Sequence, residues 1–155
     1  PVETAREMQS QLQRYGNDTD VIIMSAAVSD YRVVEYSPRK IKKDQDNLTL
    51  QLVKNPDLLF ELGQKKQPHQ VLVGYAAETH DIFEHAREKF EKKNLDLLVL
   101  NEVSSDNPAF NTEENQVYLF TSAGMQKLDK MEKSALAVRI WDEVYDIAES
   151  KKERS

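Results

Sequence analysis

The chain has no cysteine, so it can build neither a disulfide framework nor a thiolate zinc site, and it has no thiol nucleophile. That absence fits a reducing compartment, and the expected location is the cytoplasm. No apolar run is long enough to span a bilayer and no charged-then-apolar leader opens the chain, so no membrane association is expected. Positive charge is short as well: 21 Lys and Arg face 27 Asp and Glu, a formal net charge of -6, which argues against a broad nucleic-acid surface. Only four glycines occur among 155 residues. None falls into G-x-G-x-x-G or G-x-x-x-x-G-K-[ST], so the ordinary dinucleotide fingerprint and the P-loop are both missing. His69, His80 and His85 lack the spacing of a metal cluster, and Ser25 lacks the glycine-flanked elbow of a Ser-His-Asp hydrolase.

What remains, 39% hydrophobic and 31% charged residues, is the composition of one ordinary globular domain, large enough to bury about two thirds of its unfolded surface. Three apolar runs, VIIM from Val21, VLVGY from Val71 and LLVL from Leu97, lack alternation and suit parallel strands covered on both faces. Amphipathic segments separate them. Residues 2–14 read as a helix stopped by Gly16, residues 56–64 as a helix starting at Asn55, and residues 81–92 as a helix with Ile82, Phe83, Ala86 and Phe90 inward. This alternation predicts right-handed crossovers and an α/β, Rossmann-like three-layer fold, with a mostly parallel sheet and helices on both faces. Residues 117–120 add a fourth strand, residues 125–128 a short one, and residues 133–150 a last helix with Leu136, Ile140, Val144 and Ile147 as its core stripe. The domain is expected over residues 1–150, with 151–155 a frayed tail. Pro1 is not an initiator Met, and a helix-first entry leaves the Val21 strand wanting parallel neighbours, so upstream sequence is expected to be missing.

Residues 21–43, VIIMSAAVSDYRVVEYSPRKIKK, organise the rest. After the strand come Ser25, Ala26 and Ala27, whose small side chains leave the backbone approachable, and then Asp30, the first charge since Asp20. Residues 31–38 read as a loop. In an extended chain Lys40 and Lys42 share one face. Residues 47–53 alternate, with Leu48, Leu50 and Leu52 on one buried face, and together with residues 40–43 they predict an extended two-strand arm turned at 44–47. The lysine run either guards an exposed sheet edge or meets an anionic ligand. Asn55, Pro56 and Asp57 likewise form either a plain helix cap or an anion site at a helix start. Parallel sheets bind ligands beyond the carboxyl ends of their strands. That rule collects residues 25–30, residues 75–79 and Asn101 on one rim, within reach of the lysine arm and the Asn55 helix start.

Five segments in order, AAVSDYR from Ala26, KIKK from Lys40, LVKNPDLL from Leu52, VGYAAET from Val73 and KKNLDLLVLN from Lys92, resemble the phosphopantothenoylcysteine synthetases of coenzyme A biosynthesis. In most bacteria these form the second half of a bifunctional flavoprotein. Ser29, Tyr75 and Leu100 depart mildly from the family's usual Ala, Phe and Ala. The resemblance implies a ligase in which CTP, with Mg²⁺, activates phosphopantothenate as an acyl-cytidylate and the amine of cysteine displaces CMP. It implies that Lys40 is catalytic, neutralising phosphate charge as it develops. Met24, Ser25 and Ala26 would contact the nucleotide through backbone, and Asp30 would hold either the ribose or the metal-bound phosphate. Asn55, Pro56, Asp57, Leu58, Tyr75, Lys89 and Lys93 would line the base and phosphate pocket. The metal's ligands are left open. The resemblance further implies a homodimer joined through the arm, a fused flavin-dependent decarboxylase domain, and a first βα unit lying upstream of this chain. A non-catalytic nucleotide-binding module would keep the rim but have no use for the lysine arm. A purely structural dimer domain would use the arm for strand pairing alone.

Overall fold

The computed structural model describes residues 1–37, 39–42, 47–78, 81–102 and 112–154. Its elements run α1 (Ala5–Tyr15), β1 (Val21–Met24), β2 (Tyr31–Val33), β3 (Leu52–Lys54), α2 (Leu58–Lys65), β4 (Val71–Glu78), α3 (Ile82–Lys92), β5 (Leu97–Glu102), β6 (Glu114–Asn115), β7 (Val117–Thr121), β8 (Gly124–Lys127), β9 (Met131–Glu132) and α4 (Lys133–Glu153). Five strands make the main sheet in the order β1-β4-β5-β7-β8. The three apolar runs are its parallel members, β1 with β4 and β4 with β5, while β7 and β8 continue it antiparallel. The predicted α/β fold with a mainly parallel central sheet is therefore the observed one.

Side chains alternate across a strand, and the sheet uses both faces. Val71, Val73, Leu97, Val99, Val117 and Leu119 pack with Leu136, Ile140 and Val144 of α4. Leu72, Leu98, Leu100 and Phe120 point the other way, toward Ala86 and Phe90 of α3 and Leu59 and Leu62 of α2. Gly74 lets α2 close on the sheet, since a Cβ there would lie 2.9 Å from both Leu59 Cδ2 and Leu95 Cδ1.

The amino end of the sheet is tied by polar groups. Asp96 takes Lys66 Nζ at 2.8 Å and Lys151 Nζ at 2.6 Å, and its Oδ2 accepts the backbone N–H of Leu72 at 2.8 Å. Burial pushes the Lys66 ammonium below its ordinary pKa, against the hydrogen bond and charge of Asp96. Gln70, buried at 3% exposure, donates from Nε2 to the carbonyls of Gly16 and Thr19, both at 2.6 Å.

Several local expectations are corrected. Residues 31–33 are a strand, not loop: β2 pairs antiparallel with β3, Tyr31 opposite Lys54, because the chain returns to it some twenty residues later. Residues 47–51 carry no strand, and Leu48, Leu50 and Leu52 are 63%, 57% and 55% exposed, so their alternation buries nothing within this chain. The expected turn at 44–47 and Lys43 fall largely on residues outside those described, as do Thr79 and His80. α2 begins not at Asn55 but after Asp57, whose carboxylate accepts the N–H of Phe60 at 3.1 Å. Gly16 does close α1, as expected, with its N–H donating to the Leu12 carbonyl and a φ of -61°, and it opens a short 3-10 turn. Phe83 is only partly inward: its ring packs edge-on against Phe120, with centroids 5.8 Å apart, yet 47% of it stays exposed. α4 continues through Glu153, beyond the residue where fraying was expected to set in.

Candidate functional site

A cavity of about 930 Å³ opens at the carboxyl ends of β1, β4 and β5, the place that a parallel sheet reserves for ligands. It lies at the upper end of the range typical of ligand pockets. Met24 closes β1 beneath it, and residues 25–30 form one lip. The lip is folded on itself, Val28 N–H donating to the Ala26 carbonyl at 3.1 Å. It is also fastened to the chain entering α2. Asn55 N–H donates to the Asp30 carbonyl at 2.7 Å, and Asn55 Nδ2 donates to the Ser29 carbonyl at 2.8 Å. Arg32 then donates from one terminal nitrogen to the Lys54 carbonyl at 2.7 Å and to Asn55 Oδ1 at 3.1 Å.

The second lip is cationic. Lys89 and Lys93 lie one turn apart on and just past α3, and both line the cavity. Each is held by a carboxylate. Lys93 Nζ is 3.2 Å from Asp57 Oδ1, and Lys89 pairs with Oε1 of Glu78, whose Oε2 lies 3.2 Å from His85 Nδ1. Partial burial pushes the Glu78 carboxyl up, but the hydrogen bonds and charges of Lys89 and then His85 prevail and hold it below the usual carboxylate range. Lys93 is seated by close backbone contact, since a Cβ on Gly63 would lie 2.0 Å from its carbonyl oxygen. Tyr75 forms part of the floor, and burial raises its hydroxyl pKa, leaving it a neutral hydrogen-bonding group at physiological pH.

The cavity thus brings together Met24, Ser25, Ala26, Asp30, Asn55, Pro56, Asp57, Leu58, Tyr75, Lys89 and Lys93. Lys40, which is exposed, is not among the residues that line it. Within the expected set, Asn55 differs from the rest: both ends of its amide are already committed to the protein.

A third wall went unread in the sequence. Lys133, Leu136, Ala137 and Ile140 of α4 line the cavity together with Asn115. The signal lay in strand parity. β7 leaves the rim, Val117 standing opposite Asn101, and β8 returns to it, so the helix that follows must also start at the ligand end. Among the described residues no group of three or more His, Asp or Glu is placed to hold a metal ion, and no helix is long and apolar enough to cross a membrane.

Residues 1–147 match the family described as the DNA/pantothenate metabolism flavoprotein C-terminal domain. The chain is 37% identical over 145 residues to the coenzyme A biosynthesis bifunctional protein CoaBC of Vibrio vulnificus (strain CMCP6), covering 92% of this chain and 36% of that protein. It is 36% identical over 156 residues to the Escherichia coli (strain K12) protein of the same name, covering 99% and 38%. Its fold is similar to the crystal structure of the C-terminal domain of coenzyme A biosynthesis bifunctional protein CoaBC, with a TM-score of 0.77 at 27% identity, covering 96% of this chain and 65% of that one. The chain spans little more than a third of the length of these curated relatives. Motif order, fold and sequence match agree that the chain belongs to the DNA/pantothenate metabolism flavoprotein C-terminal domain family.

Proposed function

We propose that this domain carries out the CTP-dependent ligation of phosphopantothenate and cysteine through an acyl-cytidylate, as part of coenzyme A biosynthesis. The observation that carries the reading is the single cavity joining the backbone-rich lip of residues 25–30, Asp57 at the start of α2, and the Lys89 and Lys93 pair. Backbone donors and two ammonium groups suit a triphosphate, and Tyr75 offers a ring face and a hydroxyl to the base. Names of the curated relatives place them in coenzyme A biosynthesis and call them bifunctional, which supports both the pathway and a flavin-dependent decarboxylase as the partner domain.

Magnesium fits this site as a companion of the nucleotide. Mg²⁺ keeps several waters and is commonly held by one or two carboxylates plus substrate phosphates, and Asp30, which lines the cavity on the lip, would supply one such oxygen. Its alternative duty, holding the ribose, is equally open to that position. Lys40 is assigned to charge neutralisation during acyl transfer, a role that requires the arm to bring it over the cavity. The apolar side chains exposed along the arm support a homodimer formed through it.

The position of Lys40 off the cavity lining also favours one competing reading, a nucleotide-binding module without catalysis. Incubating the full-length protein with CTP, Mg²⁺, phosphopantothenate and cysteine, with ATP in a parallel arm, separates the two. The ligase reading expects CMP and the ligated product in equal amounts. CTP binding without either product would leave the module, and indifference to CTP over ATP would remove the nucleotide assignment.

A further inference from the structure

We infer that Arg32 and Asn55 are positioning residues, which act by clasping the Ser29–Asp30 backbone to the entry of α2 and so hold the cavity's first lip in its ligand-ready shape. The inference rests on the nucleotide reading above for its functional consequence, but not for the clasp itself.

Four hydrogen bonds join two stretches more than twenty residues apart in sequence. Asn55 supplies three polar groups to them: its N–H to the Asp30 carbonyl at 2.7 Å, its Nδ2 to the Ser29 carbonyl at 2.8 Å, and its Oδ1 as acceptor for Arg32 at 3.1 Å. Arg32 closes the circuit on the Lys54 carbonyl at 2.7 Å. The Asn55 amide therefore spends its donor and its acceptor inside the protein, which makes it a poor direct ligand and a good fastener. A free loop over residues 25–30 would lose backbone entropy on meeting a ligand. A lip already fastened has that ordering behind it, and binding is stronger for it.

Neighbouring strands make the same point. β2 begins at Tyr31 and β3 ends at Lys54, the two standing opposite each other in the ladder. The clasp sits at that open end, where the last ladder pair gives way to the lip on one side and to the α2 entry on the other. It converts the pairing of the arm's base into a fixed position for Asp30. Neither Arg32 nor Lys54 lines the cavity, so a change at Arg32 reaches a ligand only through Asn55 and the lip.

The test uses the chain as it stands, with the variants Asn55→Ala, Asn55→Asp, Arg32→Met and Arg32→Lys. Amide hydrogen exchange is measured across residues 26–34, and CTP affinity is measured by titration in Mg²⁺. Asn55→Ala and Arg32→Met should raise exchange in the lip about tenfold and weaken CTP by about tenfold, the scale of a lost hydrogen bond to a charged group. Arg32→Lys keeps a cationic donor and should recover most of both. Asn55→Asp keeps the acceptor for Arg32 but loses the donor to Ser29, and should fall between. In the full-length protein the same variants should raise KM for CTP more than they lower kcat. Lower stability with unchanged lip exchange and unchanged CTP affinity would make the pair a stability element and overturn the inference. If the unaltered chain binds no CTP, the nucleotide reading fails, and the clasp is judged on exchange alone: unchanged exchange in both Asn55→Ala and Arg32→Met overturns it.

Discussion

Lys151 Nζ lies 2.6 Å from Asp96 Oδ1, which fixes the last turn of α4 to the residue that leads into β5. Asp96 also receives Lys66 and the Leu72 N–H, and the three side chains are only 10–19% exposed. Neutralising the carboxylate takes the counter-charge from two part-buried lysines, which keep the carbonyls of Asn94 and Gln70. Asp96→Asn should therefore cost about 3 kcal/mol, a fall in Tm of roughly 6–12 °C. Urea unfolding checks it, with the midpoint moving and the slope kept.

The Glu78 carboxyl is held below the ordinary range by Lys89 and His85 against its own burial. A depressed folded value means that its stabilising contribution is complete above the unfolded pKa. It is lost as pH falls through that value toward the folded one. Urea midpoints taken from neutral pH into the acid range should fall along this stretch in the unaltered chain and fall less steeply in Glu78→Gln. Parallel curves for the two proteins would show that the Lys89 pair contributes nothing to acid stability.

Lys40→Gln in the full-length protein should reduce kcat about a hundredfold or more while shifting CTP affinity less than about threefold. A cation that meets charge only as it develops acts on the barrier and not on the ground state. The edge-guarding role gives the opposite pattern, poorer solubility with unchanged turnover. Steady-state kinetics alongside CTP titration distinguishes them.

Leu50 is 57% exposed within the chain, so Leu50→Glu removes no packing from the core. If the arm joins two copies, this change should weaken the dimer about tenfold or more and leave the urea midpoint of the monomer where it was. Sedimentation over a concentration series reads the first quantity. A chain that stays monomeric at micromolar concentration without any substitution would dispose of the arm interface.

Gly63→Ala should destabilise by about 2 kcal/mol, although alanine is the better helix former by about 1 kcal/mol. Its Cβ would meet the Lys93 carbonyl oxygen at 2.0 Å, and a backbone atom cannot rotate aside. Thermal unfolding measures the loss.

The sequence made legible whatever depended on long apolar runs. VIIM, VLVGY and LLVL became the parallel strands, and the rule for carboxyl ends led directly to the cavity. Pairings between distant segments were less visible. YRV looked like loop because three residues carry little periodicity, and their strand character comes from LVK returning beside them. Asn55 looked like a helix start because Asn-Pro commonly is one, whereas here the capping carboxylate is that of Asp57 and Asn55 serves the lip. Lys133 carried no local mark at all, since its place at the rim follows from counting the strands of the hairpin before it.

The polar ties of the sheet's amino end have a mechanical meaning. Gln70 stitches the chain before β1 to the start of β4, Asp96 gathers Lys66, Lys151 and Leu72, and α4 spans the height from Lys133 at the rim to Lys151 at the base. The sheet is therefore tied across its base, from the chain before β1 through β4 and β5 to the last turn of α4. A base held by buried charge and backbone carbonyls opens last, and the slowest-exchanging amides should accordingly map to this end of the sheet.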